Sequence, residues 1–71
     1  MYTLSNNHII TARRSSVSAL KMVASKIFVT LSIQQRQDCV YRIYDGNGVA
    51  QHELIAVARQ QHNGVLDWRP A

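Results

Sequence analysis

Cys39-Val40-Tyr41-Arg42-Ile43-Tyr44-Asp45-Gly46-Asn47-Gly48, followed further on by Asn63-Gly64, is the part of the chain that decides the fold. The run Cys39 to Tyr44 is rich in β-prone residues, and Asp45-Gly46-Asn47-Gly48 closes it. A type I′ hairpin turn needs positive φ at both central residues, and Asn followed by Gly meets that need at least steric cost. Two such turns between β-prone runs predict three strands laid down one after another as a meander.

The segment between the turns, Val49 to Gln61, reads in two ways. As a strand, Ile55 and Val57 share a face with Val49 and Glu53; as a helix, Leu54, Val57, Ala58 and Gln61 line up. The bracketing Asn-Gly pairs favour the strand. Val65 to Arg69 is a last short strand carrying Trp68, and Pro70 stops the ladder. Alternation puts Trp68 on one face and Asp67 and Arg69 on the other.

Upstream, Tyr2 to Ala12 is expected to be a first strand, interrupted at Ser5-Asn6-Asn7. Ser15 or Ser16 offers an N-cap, because a serine oxygen can accept from an orphan amide of the first turn. Leu20, Val23, Ala24 and Ile27 follow at helical spacing, so a helix is predicted over residues 16–27. Arg14, Ser18, Lys21 and Ser25 fall on its polar side. Phe28 to Ile33 alternates and predicts another strand, and Gln34 to Asp38 a polar loop. The resulting expectation is an α+β domain over residues 1–71, in the order β-α-β-β-β-β. One helix packs on a small, mainly antiparallel sheet with hairpins at Asn47-Gly48 and Asn63-Gly64.

At 71 residues the chain is one small domain with a thin core. Its single Cys39 precludes an internal disulfide and fits a reducing, cytoplasmic setting. A second copy of the chain is a candidate partner, because a thin core gains from burial at an interface. Lys21 and Lys26 break the apolar run from Val17 to Ile33, and no cleavage site comes after it. No leader is therefore read, the mature chain is expected to begin at Met1, and no membrane span is read.

Charge is uneven. Residues 1–37 hold five cations and no acid; residues 38–71 hold three cations and four acids, which together make the net +4. A basic N-terminal half suits nucleic acid or an acidic protein face. The plainer reading is a solvated helix face.

The residues offer little for catalysis. His8, His52 and His62 lack partners at metal-ligand spacing, and Cys39 stands alone. A thiol in an apolar β run is usually inert core. No phosphate loop or nucleophile elbow is present. The expectation is no enzyme, no cofactor and no metal. Candidate partner-binding residues are Arg13, Arg14, Lys21 and Lys26, as steering charges, with Arg42 and Tyr44 as a basic–aromatic pair on one strand face.

The helix Ser18-Ala19-Leu20-Lys21-Met22-Val23-Ala24-Ser25-Lys26, the hairpin Val40 to Gly48 and the late Trp68 form a layout. It resembles small phage- and plasmid-encoded α+β interaction proteins, among them some anti-CRISPR inhibitors of type I surveillance complexes. The resemblance implies a non-enzymatic inhibitor. Such a protein docks on a host protein or ribonucleoprotein complex and blocks guide–target pairing or nuclease recruitment.

Overall fold

The computed structural model describes residues 1–46, 53–60 and 65–71. It contains β1 (Tyr2–Asn6), β2 (Ile9–Arg14), α1 (Val17–Phe28), α2 (Ile33–Gln37), β3 (Val40–Asp45), β4 (Leu54–Gln60) and β5 (Leu66–Pro70). The strands form one sheet in the order β2-β1-β3-β4-β5, and every neighbouring pair is antiparallel. The α+β class, the meander β3-β4-β5 and the main helix match expectation. Residues 54–60 are strand, which excludes the helical alternative there. Both Asn-Gly pairs lie outside the described residues, so the meander rests on its ladders.

Three expectations need correction, one of them the polar loop over residues 34–38, where α2 (Ile33–Gln37) stands instead. The predicted first strand is a hairpin, which places a second strand before the helix. Its turn is Asn7-His8, with φ of 50° and 72°. Positive φ at two non-glycine residues is costly for L-amino acids. Here β3 holds the turn: the Asn7 N–H donates to the Val40 carbonyl and the Val40 N–H donates to Asn7 Oδ1, each at 3.0 Å.

The predicted strand over residues 28–33 is also absent. Leu20, Ala24 and Phe28 continue one buried stripe at helical spacing, so α1 runs on through Phe28. The chain then turns, and Ser32 opens α2 with a reciprocal capping box: its Oγ accepts from the Gln35 N–H while Gln35 Oε1 accepts from the Ser32 N–H. Arg36 reaches back from α2 to donate to the Phe28 and Val29 carbonyls, at 3.1 and 3.0 Å. A cation placed there satisfies orphan carbonyls and complements the helix dipole. Side-chain capping at both ends of the turn thus overrides the β propensity of its residues. At the other end of α1, Ser16 Oγ accepts from the Ala19 N–H at 3.1 Å, the expected N-cap.

The core lies between α1 and one sheet face. Leu4, Leu20, Ala24, Phe28, Cys39, Tyr41, Ile43, Ala56 and Ala58 are buried there. The register aligns Leu4 with Ile43, Ile43 with Ala56, and Ala58 with Trp68. Trp68 therefore packs on the core side.

The Asn7 clamp generates a test. Asn7→Ala removes a side-chain acceptor and puts a poor residue at positive φ, so it should cost about 1–3 kcal/mol of stability. His8→Gly relieves strain without touching the clamp and should be neutral or stabilising. Urea unfolding of both variants checks this; equal losses would show that the clamp is unimportant.

Candidate functional site

Strand parity sorts the charged side chains. Directly opposed residues of an antiparallel pair share a face, and neighbours along a strand alternate. Opposite α1, Ile10, Ser5, Arg42, Val57 and Arg69 form one row across all five strands. Beside it, Arg13, Thr3, Tyr44 and Leu54 form a second row. Val40, Arg59 and Asp67 form a third. Four arginines from four strands thus share the helix-free face, with Tyr44 among them. Asp67 is the one acid in these rows.

The face is built on polar positions that solvent does not reach. Thr3 and Ser5 on the central strand β1 are fully buried. Thr3 Oγ1 donates to the Gly46 carbonyl at 2.6 Å, while Ser5 Oγ has no hydrogen-bond partner among the described residues. Toward β5, Val57, Arg59, Gln60, Asp67 and Arg69 line a shallow cavity of about 360 Å³. There Arg69 Nε donates to Asp67 Oδ2 at 2.6 Å, in an exposed ion pair. Such pairs contribute at most about 1 kcal/mol, so Arg69 can exchange this carboxylate for another anion at small cost.

The six residues singled out from the sequence divide equally between the two sides of the sheet. Arg13, Arg42 and Tyr44 stand on the arginine face, and the expected shared face of Arg42 and Tyr44 is observed. Arg14 opposes Tyr2 on the other side, where its guanidinium donates to the Arg13 carbonyl at 2.6 Å. Lys21 lies on α1 with its ammonium 5.7 Å from the Trp68 ring centre. Lys26 and Lys21 flank one open cavity beside Trp68. The sequence reading missed Arg59 and Arg69 as members of the site. Alternation within each strand was visible, but only the ladders bring these two arginines beside Arg42.

The Cys39 environment is unfavourable for a nucleophile. The residue is buried, and its thiol donates to Asn6 Oδ1 at 3.3 Å. Burial pushes the thiol above its ordinary value, an effect partly offset by contact with the Tyr41 hydroxyl. The Tyr41 hydroxyl is also pushed up, mainly by burial and further by Cys39. It faces the thiol but makes no well-formed hydrogen bond with a described residue. Both groups stay protonated near neutrality, and a thiol attacks as thiolate. His8 sits in the β1–β2 turn, whereas His52 and His62 lie outside the described residues. Among the described residues no three His, Cys, Asp or Glu side chains gather to hold a metal. No described helix is long and apolar enough to cross a membrane.

The raised values imply a pH dependence with a definite sign. The folded chain holds both protons more tightly than the unfolded chain. Stability should be complete below the ordinary thiol value of 9.0 and fall as pH rises past it. Cys39→Ser should move the onset toward the ordinary tyrosine value of 10.0. Urea midpoints measured from neutral to strongly alkaline pH check this; a profile unchanged by the substitution would contradict it. Comparison of the chain with protein-family models, curated proteins and solved structures returned no match.

Proposed function

We propose that this chain is a non-enzymatic binding protein whose arginine-bearing sheet face takes the phosphate backbone of nucleic acid. The observation that carries this reading is the shared face of Arg13, Arg42, Arg59 and Arg69, opposite the helices. With strands about 4.8 Å apart, the four-strand step from β2 to β5 spreads these cations over roughly 19 Å. Guanidinium groups suit phosphate oxygens because their planar forks donate bidentately. Tyr44 adds a ring on which a base can stack. The reading needs no cofactor and no metal.

Among the described residues the face carries no base-reading helix and a single aromatic, so contacts to the backbone outweigh contacts to base edges. Binding is accordingly expected to tolerate sequence. The same face suits a guide or target strand presented by a host ribonucleoprotein. That is the partner class implied by the resemblance to anti-CRISPR inhibitors, and a counter-defence inhibitor is the most specific form of this proposal.

Fluorescence anisotropy with a labelled single-stranded oligonucleotide, repeated across salt, tests the reading. Four phosphate contacts give a slope of log K against log salt of about −2.8 for a single strand. Arg42→Gln with Arg59→Gln should weaken binding at least about tenfold and make the slope shallower by about 1.4. Lys21→Gln, on the opposite side, should change affinity by less than about twofold. A flat salt response, or a loss carried by Lys21 instead of the arginine pair, would overturn the proposal.

A further inference from the structure

The opposite side of the sheet carries a second surface, independent of the arginine face. Trp68, half-buried against the core, is shared by two adjoining cavities between α1 and β5. One, of about 410 Å³, is lined by Lys21, Met22, Ser25, Lys26 and Trp68. The other, of about 240 Å³, includes Phe28, Val29, Val65 and Leu66. Met22, Val29 and Val65 are 62%, 68% and 58% exposed, which is high for apolar side chains gathered around one indole. No acid lines either cavity, and neither Lys21 nor Lys26 forms an ion pair with a described residue.

Beside this groove lies an open sheet edge. β5 is the last strand, and the Ala71 N–H donates inward to the Ile55 carbonyl at 3.0 Å. Alternation then turns the backbone groups of Asp67 and Arg69 inward and those of Leu66, Trp68 and Pro70 outward. Pro70 has no N–H to leave unpaired, as suits an edge. Among the described residues nothing pairs with the outward amides and carbonyls of Leu66 and Trp68, which offers them to an added strand.

We propose that this edge and groove bind an extended acidic–apolar segment of a partner protein, added to the sheet as a strand next to β5. Main-chain hydrogen bonds to Leu66 and Trp68 hold the segment. Its alternate side chains fall on the α1 side, where apolar ones meet Trp68, Met22 and Val29. Its carboxylates meet Lys21 and Lys26 at the rim. Charge selects this occupant. A second copy of the chain paired antiparallel on this edge would set its own Lys21 and Lys26 beside the same groove, so like charges would face each other there. A nucleic acid strand would satisfy the lysines but has no amide ladder to pair with β5.

Trp68 is the only tryptophan of the chain, so its emission reports on the groove. The full-length protein is titrated with a Glu-Val peptide, a short repeat of Glu-Thr-Val-Thr whose Glu and Val side chains share one strand face, and with a Lys-Val peptide in which each Glu is replaced by Lys. Saturable binding with a blue shift of Trp68 is expected, and a Lys-Val peptide should give none. Lys21→Glu with Lys26→Glu should weaken the Glu-Val peptide at least about tenfold. N-methylation of alternate peptide amides should abolish binding if the segment adds as a strand. The proposal is overturned if the Glu-Val peptide leaves the emission unchanged, or if charge reversal or N-methylation has no effect. It is overturned equally if an oligonucleotide produces the shift, or if sedimentation shows that a second copy occupies the groove. Oligonucleotide binding by the Arg42 and Arg59 face is measured separately, so either reading can fail alone.

Discussion

The pairing of β1 with β3 is the constraint on which the molecule depends. It joins the N-terminal hairpin to the C-terminal meander, two units far apart along the chain. It sets Leu4 beside Ile43 beneath α1, which makes one core from both units. The strand at this seam is buried on both faces, with Thr3, Leu4 and Ser5 inaccessible to solvent. A seam of this kind closes a long loop before its contacts form, so its cost is paid in chain entropy. The Asn7–Val40 clamp and the hydrogen bonds of Gly46 to Met1 and Thr3 tie the seam at its two ends. Gly46 has φ of 122°, a conformation that other residues adopt only with strain, so the chain leaves β3 here at little cost.

That seam also separates the two candidate surfaces. Once β1 is in register with β3, parity sends Leu4, Tyr41 and Ile43 toward the helix and Arg42 and Tyr44 away from it. The neighbouring ladders carry the same parity to Arg13 on one side and to Arg59 and Arg69 on the other. A shift of one residue in any ladder would move that strand's arginines to the core side. The burial of Leu4, Ile43, Ala56 and Ala58 therefore holds the arginine face in place, although none of these residues belongs to it. Irregularities between Leu4 and Ser5 and between Ile43 and Tyr44 shift the register locally while the pairs on either side keep to their faces. The helix side is organised differently. There Trp68 packs over small Ala58, and Lys21 over the Trp68 ring leaves a groove beside the sheet edge.

Features governed by neighbouring residues were legible from the chain alone. The Ser16 cap, the apolar stripe of α1, the three-strand meander and the opposed faces of Trp68 and its flanking charges all follow from capping chemistry, periodicity or turn preference. The errors arose where local signals competed. Phe28 to Ile33 alternates like a strand, but Phe28 belongs to the helical stripe, and the Ser32–Gln35 capping box and Arg36 commit the residues after it to a turn and a second helix. Asn7-His8 lacks the glycine that marks a tight hairpin turn, so the break in the first strand was visible and the reversal was not. The contact that stabilises this turn comes from Val40, far along the chain.

The candidate site divides along the same line. That Arg42 and Tyr44 share a face, and that Asp67 and Arg69 share one, could be read from alternation, because the period of a strand is intrinsic to its backbone. That these pairs lie on one surface, joined by Arg13 and Arg59, could not. Strand order and register are set by which apolar faces bury together, and that choice is made between segments with no local signal connecting them. The amino-acid order thus specified the elements and the two faces of each. The β1–β3 seam and the packing of α1 decided which faces lie together, because only burial over the whole chain distinguishes the possible alignments of strands.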